Sequence, residues 1–555
     1  MERSRQAKAD GARGVGMEGR SVAMRVRSSV ASRGDAIVPW GAKGAMPAVL
    51  GNEKRRTMRD RVALTLTAIV AALHLAVANR YDLFRDELYF IVCGRHPAFG
   101  YLDQPPLVPL LAAGGYALGG QTWIVRLPAV FAAAALVWVV VAFVRLLGGR
   151  DAAAWIAGIA AGLAPMLMGI TATLSTTFFE TLAWTLVAYG LARAAVLDDR
   201  RALLWTGVVA GIAMEAKYSL LLWLIALAVG LALFPERRLF RYRELWLALA
   251  IAGVVTVPSV LWQAAHGFPF VELVRNAGQK DLVVTPLAFA IHQVLVFNPL
   301  FAPIWLAGVI APFLLRELKS MRFIAIAFLI AAASIIAGHG KDYYLAGAFP
   351  PLLAFGGIAI VRLIRNTVVR VGYVAVAVIP SLLLAPFALP ILSPNALVAY
   401  EHALHFKIAA QERGDSGDLV PSLFADMLGW HDFVREVGAA YVSLPPQVRA
   451  HTSVLVDNYG EAAALDIYGA PYGLPPALSG HNQYFLWGER GQDPANLIRV
   501  QSHPERLRPY CREMTVFRTT QSPYARDFEN GKAIAFCRGL HPSLATIWPS
   551  LKNII

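Results

Sequence analysis

The sequence predicts an α-helical polytopic membrane protein of about eleven spans, followed by a C-terminal α/β domain outside the membrane. Three observations predict it. Of the 555 residues, 57% are hydrophobic and 16% charged, and the mean hydropathy is +0.50; a soluble domain carries roughly 45–50% apolar and about 25% charged residues. Apolar stretches near the roughly 20 residues that cross a hydrocarbon core recur down the chain. Basic residues gather in alternate short loops between those stretches, as a fixed orientation in a bilayer requires.

Residues 1–57 are rich in Arg, Gly, Ser and Ala with no apolar periodicity, and read as a disordered basic tail on the cytoplasmic side. They lack the short apolar core and cleavage site of a signal peptide directly behind their charges. Met17, Met24, Met46 and Met58 leave the true start open. Residues 1–61 hold 14 Lys/Arg against 6 Asp/Glu, net +8 of the chain's +14. Much of the remainder sits in short loops, so the charge orients a membrane protein and forms no single basic face for nucleic acid.

Spans are expected at about 62–79, 124–144, 152–171, 177–194, 202–216, 218–234, 245–262, 289–315, 323–338, 343–361 and 371–391. Lys217 separates the two short ones at 202–234. With the tail inside, the loops expected in the cytoplasm hold Arg145/Arg150, Arg193/Arg200/Arg201, Arg237/Arg238/Arg241/Arg243, Arg316/Lys319/Arg322 and Arg362/Arg365/Arg370. The alternate loops hold Lys217, Arg275/Lys280 and Lys341. All five inside loops agree, and an odd number of spans puts the C-terminus outside.

The membrane domain thus covers 58–394, and 80–123 is its first outer loop. Leu107–Leu118 is apolar but too short to span, so two interfacial helices fit the loop better. Asp86-Glu87 would open one, where a helix N-terminus favours negative charge; Pro105-Pro106 would start the other. After residue 394 the composition turns polar, with short apolar runs at Ser453–Val456, Ala462–Ile467 and Ile534–Phe536. Residues 395–555 therefore read as a small soluble α/β domain. Cys93, Cys511 and Cys537 show no metal-ligand spacing. Cys511 and Cys537 would pair in an oxidising compartment; two unpaired thiols are the alternative.

Ionisable groups at a membrane are costly and by default mark function. Asp86, Glu87 and Asp103 fall together in the first outer loop, although each also suits a helix cap or a turn. Lys217 and Lys341, the latter opening Lys341-Asp342-Tyr343-Tyr344, are expected on the same side, where two converging ammonium groups would hold a phosphate. Glu180 is expected to neutralise a neighbour such as Lys217. His266, at the outer end of the seventh span, is a candidate phosphate or metal ligand. His74 and His292 lie inside apolar helices and read as satisfied core residues. Gly414-Asp415-Ser416-Gly417-Asp418 has no support for the histidine and aspartate a serine nucleophile needs. Gly340-Lys341 lacks the glycine and hydroxyl residue of a phosphate-binding loop.

These residues resemble the GT-C polytopic glycosyltransferases of the protein O-mannosyltransferase and aminoarabinose-transferase type (glycosyltransferase family 39 and relatives). The likeness covers roughly residues 60–390. It rests on Asp86-Glu87, on Asp103-Gln104-Pro105-Pro106 in place of an acidic-x-Pro-Pro string, on Arg126-Leu127-Pro128, and on Lys341 through Pro351. Leu174–Glu180 resembles a variant of bacterial members, which often have Asp where Glu180 stands. Asn458-Tyr459-Gly460-Glu461-Ala462 and Ser479-Gly480-His481-Asn482 resemble the soluble domain of that bacterial subgroup.

The resemblance implies a polyprenyl-phosphate sugar donor, with its tail between helices and its sugar at the outer face. It implies Asp86 as general base for an inverting transfer to an acceptor hydroxyl on a lipid, polysaccharide or protein. Glu87, Asp103, Gln104, Lys217, His266, Lys341, Tyr343 and Tyr344 are then the candidate substrate-binding residues, and no nucleotide is needed. Some relatives bind a divalent metal through an acidic residue and a histidine, which makes Asp103 and His266 the candidates here. One departure stands out: an Arg closely follows the acidic pair in the aminoarabinose transferases, whereas here Arg85 precedes it and Tyr89 stands in that region. The competing readings are a secondary transporter, which predicts internal repeats and broken helices, and a non-catalytic cell-envelope assembly protein in which Asp86 is only a cap.

Overall fold

The computed structural model describes residues 60–280, 285–408 and 417–555. The tail expected at 1–57 and most of the Gly414–Asp418 string lie outside the described residues. The helical part runs in order through α1 (Arg61–Val77), α2 (Arg85–Arg95), α3 (Leu107–Ala117), α4 (Thr122–Leu146), α5 (Asp151–Leu163), α6 (Pro165–Ile170), α7 (Thr176–Leu197) and α8 (Arg200–Met214). It continues through α9 (Leu220–Leu233), α10 (Arg243–Ala265), α11 (Pro269–Lys280), α12 (Pro286–Val296), α13 (Ala302–Leu314), α14 (Arg322–Ala337), α15 (Phe349–Leu363) and α16 (Thr367–Ala388).

Five helical stretches among the described residues are individually long and apolar enough to cross a membrane: α4, α10, Arg316–Ala337, Asp342–Leu363 and α16. A sixth is reached if α9 and the bent turn Pro235–Arg241 form one span. Of the other expected stretches, α7 is long at 22 residues but less apolar; the rest are helical but shorter, or broken, and two breaks have clear causes. Ala164 is extended (φ −66°, ψ 122°), as a residue before proline must be, and Pro165 restarts the helix as α6. The stretch expected as one span at 289–315 divides into α12 and α13 around Asn298, which is fully buried with φ +76°. Its Nδ2 donates to Ala377 O and Ser381 Oγ, both at 2.8 Å, and its Oδ1 accepts from Leu300 N at 2.9 Å. Backbone at membrane depth tolerates such a break only when the surrounding protein satisfies its polar groups.

Close approach holds the helices together where apolar attraction in lipid cannot. A Cβ on Gly308 would strike the Leu352 carbonyl, and one on Gly356 would strike the Ile304 carbonyl. Glycine at both positions lets α13 and α15 touch backbone to backbone. Two of the basic loops are held by their own ion pairs: Arg145 bridges Asp60 and Asp151, and Arg193 pairs with Asp199 at 2.8 Å.

Residues 80–121 form the two helices expected of the first loop, α2 and α3. Beyond α16 come α17 (Pro394–Leu404) and α18 (Trp430–Val442), then β1 (Thr452–Val456), α19 (Tyr459–Tyr468), β2 (Leu478–Ser479), β3 (Asn496–Gln501), β4 (Cys511–Thr519) and β5 (Ala533–Leu540). The sheet order is β2-β1-β3-β5-β4, parallel at β2-β1-β3 and antiparallel at β3-β5-β4. A Cys511–Cys537 disulfide links the last two strands, and Cys93 is buried and free. The sheet does not stand apart. Val454, Val456, Ala462, Tyr484 and Ile498 share one hydrophobic core with Leu88, Tyr89, Phe90 and Ile91 of α2, and the described residues form one compact unit.

Candidate active site

The adjacent carboxylates Asp86 and Glu87 have opposite surroundings, because consecutive residues on a helix point about 100° apart. Glu87 is wholly buried. Its Oε2 accepts from Phe84 N at 2.8 Å and Arg126 Nη2 at 2.9 Å; its Oε1 accepts from Leu174 N at 2.7 Å and Arg126 Nε at 3.0 Å. Arg126, 1% exposed, also donates to Ala78 O and Asp82 O. Every acceptor direction of Glu87 is used, so the expectation that it binds substrate is corrected. It caps α2 and clamps it to α4 and to the turn before α7.

Asp86 makes none of these contacts. Its side chain is 33% exposed. Oδ1 accepts from the Tyr459 hydroxyl at 2.8 Å and lies 3.8 Å from Arg85 Nε. Arg85 in turn reaches Asp426 at 3.3 Å and covers the Tyr459 ring at 5.5 Å. Oδ2 receives no hydrogen bond from the described residues.

Asp103 is the second carboxylate of the site. Its Oδ1 accepts from the Tyr89 hydroxyl at 3.0 Å and its Oδ2 from Asn482 Nδ2 at 3.2 Å. Burial, with a contribution from the nearby Asp86 charge, pushes its carboxyl up to about 7. Gln104 is buried at 4% exposure, and its backbone carbonyl accepts from Tyr101 N at 2.9 Å. The turn is fastened from two sides: Gln263 Nε2 donates to Tyr101 O, and Leu102 N donates to Gln483 Oε1, each at 2.8 Å. Gln483 N also donates to the Tyr89 hydroxyl at 3.1 Å.

Lys217 lies at the centre of a second cluster. Lys217 pairs with Glu180 Oε2 at 2.8 Å, donates to Thr177 Oγ1 at 3.4 Å and sits 4.9 Å from the Tyr344 ring centroid. Ser219 holds the other oxygen of Glu180 at 2.5 Å. The expected Glu180–Lys217 pairing is therefore present. Tyr344 packs edge-on against Tyr343 at 4.9 Å, just after Lys341. This cluster joins the acidic loop through α7, since Leu174, which donates to Glu87, precedes Thr177 by one turn.

His266 is exposed and stacked on Trp262 at 4.0 Å, with Nδ1 on Trp262 O at 2.8 Å. Trp262 abuts Gly100, three residues before Asp103. No group of three His, Cys, Asp or Glu side chains able to hold a metal ion occurs among the described residues. His74 is satisfied in the core by Val70 O and Thr171 Oγ1, each at 2.9 Å, as expected. His292 is not a core residue: it is 37% exposed and 4.0 Å from Asp342.

Tyr459, Asn482 and Gln483 escaped the reading of the residues as site members. Two of them lie in strings quoted for their family likeness, and the Asn458-x-x-Glu461 capping pattern marks a helix start just there. Their direction of approach is a tertiary fact.

Residues 103–262 match the model of the dolichyl-phosphate-mannose-protein mannosyltransferase family. The chain is 30% identical over 194 residues to the lipid A galacturonosyltransferase RgtD of Rhizobium johnstonii, an alignment spanning 33% of this chain and 39% of that protein. The structure is similar to that of ArnT from Cupriavidus metallidurans bound to undecaprenyl phosphate, with a TM-score of 0.58 and 15% identity over 88% of this chain and 98% of that one. The apo state of ArnT gives 0.53 and 14% over the same shares. The chain therefore has the GT-C fold seen in ArnT, and residues 103–262 are similar to the mannosyltransferase family.

Proposed function

We propose that this protein transfers a sugar from a polyprenyl-phosphate donor to an acceptor hydroxyl, with inversion, at the outer face of the cytoplasmic membrane. The reading rests on one observation above the rest: Asp86 is the loop carboxylate with an oxygen that receives no hydrogen bond from the described residues, while its neighbour Glu87 does the capping. A carboxylate about 2.6–3.2 Å from a hydroxyl is a competent general base. In this reading Asp86 Oδ2 takes the acceptor proton as the acceptor oxygen attacks the anomeric carbon. The leaving phosphate gains negative charge, which nearby cations and hydroxyl donors stabilise. Lys217, Lys341, Tyr343 and Tyr344 are assigned that role. Asp103, about half protonated at neutral pH, donates or accepts toward sugar hydroxyls, with His266 as a further contact.

ArnT with its undecaprenyl phosphate and RgtD with its lipid A substrate support this donor class and a lipid acceptor. The loop-charge pattern supports a cytoplasmic N-terminus and an extracytoplasmic C-terminal domain, and the Cys511–Cys537 bond fits an oxidising compartment. A transporter would also have broken helices, but the break at Asn298 is closed by its own hydrogen bonds and opens no ion site. The test is Asp86→Asn in reconstituted vesicles with a polyprenyl-phosphate sugar. Transfer is expected to fall by about 10²–10⁴-fold, the range for loss of a general base, with the melting temperature unchanged. Wild-type transfer by this variant ends the assignment.

A further inference from the structure

We propose that Tyr459, contributed by the C-terminal domain, is a positioning residue for the Asp86 base, so that the catalytic centre is completed only when that domain docks on the first loop. The inference rests on the functional reading above. Its ground is the 2.8 Å hydrogen bond from the Tyr459 hydroxyl to Asp86 Oδ1, across 373 residues of sequence. A carboxylate held at one oxygen by a fixed donor keeps the other aimed in one direction. The Tyr459 hydroxyl keeps its proton throughout, and the acceptor proton goes to Oδ2.

The position of Tyr459 is over-determined, as a positioning role demands. It is the first residue of α19, whose N-terminus is closed by a capping box. Glu461 N donates to Asn458 Oδ1 at 3.0 Å, and Glu461 Oε2 accepts from Asp457 N and Asn458 N. Glu461 is wholly buried against Lys532, which Glu529 also holds at 2.8 Å. The Tyr459 ring lies between Tyr89 at 4.6 Å and His481 at 4.9 Å. Gly460 completes the fit, since a Cβ there would come within 2.8 Å of Arg85 Cδ. Burial holds the phenol well above its usual range, so it remains a donor.

Tyr459→Phe removes the hydroxyl and keeps the ring, so packing survives. Steady-state kinetics with a polyprenyl-phosphate sugar, run beside Asp86→Asn and with melting curves for both, test the inference. The expected result is a kcat lower by about ten- to a hundredfold, as for loss of a hydrogen bond to a charged group. Donor KM should stay within about twofold, and melting should be unchanged. Wild-type kcat overturns the inference; so does a fall in kcat accompanied by equal losses in donor binding and thermal stability, which marks a purely structural residue. Activity in Asp86→Asn would instead overturn the functional reading. An inactive Asp86→Asn beside a wild-type Tyr459→Phe overturns only the inference.

Discussion

Two neighbouring acids on one turn of α2 have different surroundings. Glu87 is spent on Arg126 and two backbone donors, and Asp86 is left facing the C-terminal domain. Asp103 differs again, because burial keeps its carboxyl near neutrality. Its ordinary value is about 3.9, so between those two pH values the folded protein binds more protons there than the unfolded chain. By linkage, Asp103 contributes stability that is fully present below about pH 4 and lost as pH rises through about 7. Asp103→Asn imitates the protonated form. We therefore expect the variant to gain more thermal stability relative to wild type at pH 8 than at pH 4.5; melting-temperature differences that are the same at both pH values would contradict the sign.

At the level of elements, Arg126 is the staple. One guanidinium reaches the end of α1, the α1–α2 turn and the Glu87 carboxylate that opens α2, while Glu87 extends the link to the turn before α7. Removing one partner of a buried pair leaves the other charged and unsolvated, at a cost of about 3–5 kcal/mol. Arg126→Ala is thus expected to lower unfolding stability by that amount in detergent and to reduce transfer through displacement of α2. An unchanged denaturation midpoint would show that the staple is dispensable. The glycine contacts between α13 and α15 act differently: they bring backbones together and leave no charge at risk.

For the molecule as a whole, the active loop and the C-terminal sheet are one hydrophobic core. Val454, Val456, Ala462, Tyr484 and Ile498 are covered in part by α2, which belongs to the helical bundle. Residues 395–555 produced alone should expose that face, bind a hydrophobic dye and lack a cooperative melting transition. A sharp melt with native-like tertiary signals would show an independent domain. The shared core also gives the docking of Tyr459 and Asn482 its rigidity, since both stand on elements packed into it.

Composition and loop charge determined the helical membrane class, the positions of the helical stretches and the change of character after residue 394, because hydrophobicity and charge count act locally and add along the chain. The acidic first loop, its two helices and the Glu180–Lys217 pair were legible for the same reason: caps, proline starts and unneutralised charges leave marks at short range. The division between Asp86 and Glu87, the breaks at Ala164 and Asn298, and the approach of Tyr459 were not. Each depends on which partner, tens to hundreds of residues away, satisfies a buried polar group, and that pairing exists only once the core has formed.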